Sequence, residues 1–121
     1  MTLVSDCGTT TNKTVLEGQL WGGLTQGSGL ALSEDFEDLN KHTTLTGCGI
    51  PQVKDVPDEI VLIHQETPRP LGPYGAAGSG EMPLSAPHAS IANAIFNACG
   101  VRIKHLPAYP EKVLEGLEAL K

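Results

Sequence analysis

Thr14-Val15-Leu16-Glu17-Gly18-Gln19-Leu20-Trp21-Gly22-Gly23-Leu24-Thr25-Gln26-Gly27-Ser28-Gly29 is the stretch on which the fold turns. Val15, Leu16, Leu20, Leu24 and Leu30 to Leu32 recur at helical spacing, and Thr14 with Glu17 three residues on has the form of a capping box. The spacing predicts a helix starting near Thr14. Gly18, Gly22, Gly23, Gly27 and Gly29 oppose it, since a glycine in a helix interior costs roughly 1 kcal/mol relative to alanine. A helix retains so many only where the missing side chains make room for something. Gln19, Gly22, Gly23 and Gln26 fall at i, i+3, i+4 and i+7, so two amides flank a smooth glycine floor on one face. Such a face either packs against another backbone or receives a flat polar ligand, and packing is the expectation from spacing alone.

Upstream, Leu3-Val4-Ser5-Asp6-Cys7 reads as a short strand that stops at Gly8 and a Thr-rich turn. Downstream, the four carboxylates of Glu34-Asp35-Phe36-Glu37-Asp38 read as a solvated helix end rather than a cation site. Residues 40–57 are rich in Thr, Gly and Pro and form a long connection of the kind that often covers a site. Ile60-Val61-Leu62-Ile63 is a compact strand, after which Pro68, Pro70 and Pro73 lead into Gly75-Ala76-Ala77-Gly78-Ser79-Gly80-Glu81. A second helix starts at Ser85-Ala86-Pro87-His88, with Ser85 as cap, and ends at Gly100. His88 near its first turn reads as a structural histidine. Val101 to His105 alternates like a strand, and Pro110 to Leu120 is a final helix. This order predicts an α+β fold, two layers with a small mixed sheet and about three helices, with residues 1–121 as a single domain.

Composition narrows the partners. A net charge of −6 and a pI near 5.0 leave no basic patch for nucleic acid or an anionic membrane surface. No apolar run approaches the ~18 residues of a spanning helix, and Met1 to Asp6 lacks a signal-peptide layout, so a cytoplasmic chain is expected. Cys7, Cys48 and Cys99 contain no C-x-x-C pair and read as buried or free thiols; with His42, His64, His88 and His105 scattered, neither a zinc site nor an iron–sulfur cluster is expected within the chain. Aromatics are only 4%, so the chain is expected to bury part of its apolar surface against something else.

Glu81 is the only Asp, Glu, Lys or Arg between Arg69 and Arg102. Small residues before it let backbone N–H groups approach a ligand closely, and burial among Ala, Leu, Met and Pro would raise its carboxyl pKa as a general base requires. A glycine-rich surface turn solvated by one carboxylate satisfies the same motif, and the turn alone does not choose between them.

The segments from Val15 to Gly29 and from Gly72 to Leu84, followed by Pro87-His88-Ala89, by Gly100-Val101-Arg102-Ile103 and by Leu106 to Leu114, resemble the carboxy-terminal part of the molybdopterin-binding subunit of xanthine oxidase family molybdenum hydroxylases, above all bacterial aldehyde oxidoreductases. The resemblance runs over essentially the whole chain. It implies that Glu81 is the catalytic base beside molybdenum, oxidising aldehydes or N-heterocycles with water-derived oxygen. It further implies that Ala77, Gly78, Ser79 and Gly80 pass close to the metal and its dithiolene, and that Gln19 hydrogen-bonds the pterin, with Gln26 as a weaker second contact. The implied cofactor is molybdenum-molybdopterin in the cytosine dinucleotide form, shared with the remaining molybdopterin-binding portion; iron–sulfur clusters would sit on other domains or subunits. Where the family often carries Asn-Pro, Asn12 is here followed by Lys13, so the turn is expected to differ. Substrate-pocket arginines and most phosphate contacts lie outside these residues, so the chain alone is expected to be inactive. A non-catalytic assembly module and a truncated fragment of such an enzyme are the alternatives.

Overall fold

The computed structural model describes residues 1–121. Strand β1 (Thr2–Asp6) is followed by the long helix α1 (Lys13–Leu32), strand β2 (Val61–Gln65), helix α2 (Pro87–Cys99) and helix α3 (Pro110–Ala119). Single 3₁₀ turns at Val53–Asp55, Pro73–Gly75 and Met82–Leu84 punctuate the connections. β1 and β2 pair in parallel with Thr2 opposite Val61 and Asp6 opposite Gln65; the antiparallel component is one isolated bridge between Gly8 and Ala76. The α+β arrangement of a small sheet and three helices is therefore present.

Two expected boundaries move. α1 starts at Lys13, capped not by Thr14 but by Asn12, whose side-chain oxygen accepts from the Val15 N–H at 3.0 Å. Asn is among the best N-cap residues and already occupies the extended conformation that a cap needs. Glu17 turns instead to Lys13, at 3.7 Å, and to His64 on β2, at 3.4 Å. Likewise α2 has Ala86 at its cap position, because the Ser85 hydroxyl donates to the Met82 carbonyl at 2.9 Å. The strand expected over Val101 to His105 does not form: the sheet consists of β1 and β2 alone, and this segment pairs with neither. Its alternation has another cause, since Val101 is buried against α3 where Gly116 leaves room for it.

The core is small. Leu3 and Cys7 of the first strand and its exit pack on Leu16, Leu20 and Leu24 of α1, with Ile60, Leu62 and Met82 closing the edges. Gly100 ends α2 in the left-handed conformation, φ +78°, as expected for a glycine stop. Cys7, Cys48 and Cys99 carry unbonded thiols, the first two buried. Many large apolar side chains remain outside, among them Leu39, Leu71, Tyr74, Trp21 and Leu114.

Four of the five glycines of α1 resolve into two groups, the fifth, Gly29, lying under Glu34 and Pro51. Gly18 and Gly22 face open space, whereas Gly23 and Gly27 are buried under the chain that crosses the helix. A Cβ on Gly23 would run into the Pro83 ring, and one on Gly27 would stand 2.7 Å from Pro87 Cγ and 3.0 Å from the Leu84 carbonyl oxygen. The floor thus serves packing, and its true line is Gln19, Gly23 and Gly27, not the Gly22 and Gln26 side. Gly23→Ala should cost about 1–3 kcal/mol through overpacking against a rigid proline, measured by urea denaturation; Gly22→Ala, with nothing near it, should instead be neutral or stabilising.

Just past α1, Glu34 is buried, and burial alone pushes its carboxyl above the usual glutamate range. The folded state then holds this proton more tightly than the unfolded chain. Stability from that source is present below the ordinary glutamate pKa and lost as pH rises through the raised folded value. Glu34→Gln is accordingly expected to raise the thermal midpoint of this chain at neutral pH, with the gap closing as pH is lowered to about 4, which a pH series of melting curves would check.

Candidate cofactor-binding surface

The loop after β1 and the glycine-rich turn are held together by backbone. The Gly75 carbonyl accepts from the Thr9 N–H at 3.0 Å and from the Arg69 N–H at 2.9 Å, and the Ala77 N–H donates to the Cys7 carbonyl at 2.8 Å. Gly8 and Gly75 both have positive φ, and a side chain at Gly8 would collide with the Gly75 carbonyl. Tyr74 adopts φ +54° beside them, an uncommon conformation for a residue with a Cβ and a mark of a tightly constrained turn. Asp6 anchors the same corner: its carboxylate accepts from the N–H groups of Gly8, at 3.0 Å, and Thr67, at 3.1 Å, and lies 3.5 Å from Arg69. Hydrogen bonds from Thr67 first, then Gly8, hold its carboxyl below the usual range.

Between these pieces lies a cleft of about 90 Å³ lined by Cys7, Thr9, Thr10, Thr11, Asn12, Val15, Leu16, Ala76, Ala77 and Ser79. It opens at the amino terminus of α1, where free N–H groups and the helix dipole favour anions. Three threonine hydroxyls and Ser79 line it, and no carboxylate does. Sequence reasoning passed over Thr9 to Asn12 as a plain turn; their position one strand-length before a capped helix was the available signal.

Gln19 sits next along α1. Its amide oxygen stands 3.8 Å from where a Cβ on Gly80 would be, so Gln19 and the end of the turn are neighbours. Gly78 has nothing within 4 Å of that position and leaves its backbone face open. Ala77, Gly78, Gly80 and Glu81 are exposed and Ser79 is half-buried. Glu81 heads the 3₁₀ turn Met82–Leu84, whose Pro83 is clamped on Gly23, so its backbone is fixed while its carboxylate points free. The expected burial of Glu81 is not supplied by this chain: the residues after it turn inward onto α1, and the carboxylate is left on the outer side. Gln26 is separated from this set. It lines a different groove, with Trp21 and Glu34, on another side of the helix.

The structure therefore brings Gln19, Ala77, Gly78, Ser79, Gly80 and Glu81 onto one continuous surface that adjoins the threonine-lined cleft. A flat, polar, anionic group fits it: open glycine backbone for close approach, one amide for hydrogen bonding, hydroxyls and a helix terminus for phosphate. Gly75→Ala is expected to unlock the corner at a cost of about 1–3 kcal/mol, because φ is +80° and Thr9 Oγ1 would lie 2.8 Å from the new Cβ. Gly78→Ala should leave thermal stability within about 0.5 kcal/mol; melting curves of the two variants test the contrast.

The chain is similar to known proteins over nearly its whole length. The family profile described as a molybdopterin cofactor-binding domain matches residues 1–57. The aldehyde oxidoreductase of Megalodesulfovibrio gigas is 58% identical over 119 residues, 98% of this chain and 13% of that protein. The nicotine 6-hydroxylase large subunit of Paenarthrobacter nicotinovorans is 33% identical over 97% of this chain and 15% of its own length. Among solved structures, the aldehyde oxidoreductase of Desulfovibrio desulfuricans superposes with a TM-score of 0.93 at 61% identity, covering 96% of this chain and 13% of that one. A copper- and molybdenum-containing carbon monoxide dehydrogenase does so with a TM-score of 0.83 at 25% identity, covering 98% and 16%. This chain thus spans roughly an eighth of the length of its more similar relatives.

Proposed function

The chain belongs to the molybdopterin cofactor-binding family of xanthine oxidase-type aldehyde oxidoreductases, and from that membership we propose that it forms one wall of a molybdenum hydroxylase active site in which Glu81 is the catalytic base. The observation that carries this reading is the shared surface on which Gln19, the open Gly78–Gly80 backbone and Glu81 lie side by side, with the threonine cleft at one end. When bound, the molybdenum cofactor would supply a two-electron acceptor and an electrophilic centre for oxygen transfer to an aldehyde or N-heterocyclic carbon. Gln19 would hold the pterin through its amide, and Ala77 to Gly80 would lie against the dithiolene edge, where any larger side chain would stand in the way. We assign the phosphates of a dinucleotide form to the cleft formed by Thr9 to Asn12 and Ser79.

The role of Glu81 follows from its setting. None of the chain's ion pairs includes it, so no neighbour competes for its lone pairs. It is carried on backbone locked by the Gly23–Pro83 contact, which keeps a base within reach of one point in space. The remainder of the enzyme would cover it, exclude water and disfavour its charged form, which suits proton abstraction from the attacking oxygen. The same remainder would bring the substrate pocket and the iron–sulfur domain or subunit. One wall does not retain a cofactor, so the 121 residues alone should bind no molybdopterin tightly and turn over no aldehyde.

In the assembled enzyme, Glu81→Gln should lower kcat by about 10²–10⁴-fold, the usual worth of a positioned base, while molybdenum per enzyme stays at the parent level. Parent-like turnover with full cofactor would sink the assignment. Loss of molybdenum together with activity would instead make Glu81 a cofactor-retaining residue.

A further inference from the structure

One side-chain atom joins the two chain segments that meet at the glycine-rich turn. Asp6 Oδ1 accepts from the Gly8 N–H at 3.0 Å and from the Thr67 N–H at 3.1 Å. Each of these donors lies just before another that ends on a shared carbonyl. The Thr9 N–H, next after Gly8, reaches the Gly75 oxygen at 3.0 Å, and the Arg69 N–H, two residues after Thr67, reaches the same oxygen at 2.9 Å. Asp6 Oδ1 and the Gly75 oxygen therefore close a ring of backbone, each taking one hydrogen bond from either segment. The Arg69 guanidinium reinforces it by donating to the Asp6 carbonyl at 3.1 Å.

The ring decides where the turn starts. The Gly75 carbonyl belongs to the peptide plane that leads into Ala76, so that plane cannot rotate without losing both of its donors. Two residues on, the Ala77 N–H is fixed to the Cys7 carbonyl at 2.8 Å. Ala77 and Ser79 then line one side of the threonine cleft, and Gly80 arrives beside Gln19. Asp6 is not among the residues that line the cleft, so its influence on that surface passes through the backbone. Hydrogen bonding is the larger part of its grip: the bonds from Thr67 and Gly8 draw its carboxyl down, while the charge of Arg69 contributes least.

We propose that Asp6 is a positioning residue for the cofactor-facing turn: by bridging the Gly8 and Thr67 amides with one oxygen, it sets the peptide plane at Gly75 from which Ala77 to Gly80 are presented. The proposal rests on the reading that this turn lies against the cofactor. Because both amides converge on a single oxygen, the clasp requires the shape of the acceptor and not its charge. Asparagine keeps that oxygen at the same distance from the backbone. Glutamate keeps the charge but carries it one methylene further out, and alanine has neither.

The test compares Asp6→Asn, Asp6→Glu and Asp6→Ala in the assembled enzyme carrying this chain, with two readouts. Hydrogen exchange, followed by mass spectrometry of the peptides that contain Thr9 and Ala77, should speed up in the Glu and Ala variants and stay at the parent rate in the Asn variant. In the Glu and Ala variants kcat per bound molybdenum should fall about 10-fold to 10²-fold, the usual consequence of a displacement near 1 Å. KM should change little, because the remainder of the enzyme is proposed to supply the substrate pocket. The Asn variant should match the parent in both constants. Faster exchange with parent kcat per molybdenum in the Glu variant would reduce Asp6 to a stabiliser of the fold and overturn the proposal. An Asn variant as impaired as the Glu variant, or unchanged exchange in all three, would overturn it too. If the Ala variant does not assemble, the contrast between Asn and Glu decides. Unchanged turnover in Glu81→Gln would instead remove the functional reading above and leave the exchange result standing.

Discussion

The missing side chains at Gly23 and Gly27 are the constraint on which this structure depends. They let α1 approach the segment from Gly80 to Pro87 until proline rings rest directly on helix backbone. A single methyl group at Gly23 would push Pro83 away, and the 3₁₀ turn that begins after Glu81 would move with it. Glycine inside a helix is unfavourable by roughly 1 kcal/mol per residue, yet here that penalty is offset by burial of Pro83, which is fully enclosed, and of Pro87. The position of the glutamate is thus a consequence of two absent Cβ atoms half a helix away, joined to it through a rigid imino acid.

Much of this was legible. The helix and the glycine stop at Gly100 follow from local chemistry and are present, while the glycine floor is present with its line moved from Gly22 to Gly23 and Gly27. What escaped was non-local. Val101 to His105 alternates like a strand, but alternation records only that one face is buried, and here the burying partner is α3 at Gly116 rather than a sheet edge. Thr14 and Glu17 satisfied a capping box on paper, while Asn12, two residues earlier, won because the chain enters the helix from the Gly8 corner with Asn12 already extended. The candidate site was read with the same mixture. Gln19 and the Gly78–Glu81 turn lie together because they share the Gly23 line of α1. Gln26 was grouped with them by a face one residue off, and a rotation of about 100° per residue is enough to place it in the Trp21 groove instead.

The carboxylates divide into two populations. Asp6, Asp35 and Glu66 are tied into local hydrogen bonds: Asp6 to the Gly8 and Thr67 amides, Asp35 to the Glu37 amide and the Tyr109 hydroxyl at 3.0 Å, and Glu66 to the Thr10 amide at 2.8 Å. All three are held below their usual range, so the stability that they contribute is present at neutral pH and lost on acidification. They secure loops. Glu34 and Glu81 stand apart: neither makes an ion pair, the first lying on a residue only 9% exposed and the second exposed on a locked backbone.

That contrast separates the two surfaces by the kind of completion each requires. Beside Glu81 the chain presents hydroxyls, open backbone and a helix amino terminus, a set of donors suited to a polar anionic ligand and unsuited to an apolar one. Beside Glu34 it presents an indole, aliphatic side chains and acidic groups, with no lysine or arginine among them. Both lie on α1, and the helix is rigid over its 20 residues because its crowded line is packed on Pro83 and Pro87. That packing fixes the rotation of α1 about its axis, and with it the direction in which Gln19 meets the glycine turn. Gln19 and the glycine turn are thus held relative to one another by a single packed element, the rigidity that one wall of a larger site needs if a proton is to be transferred there.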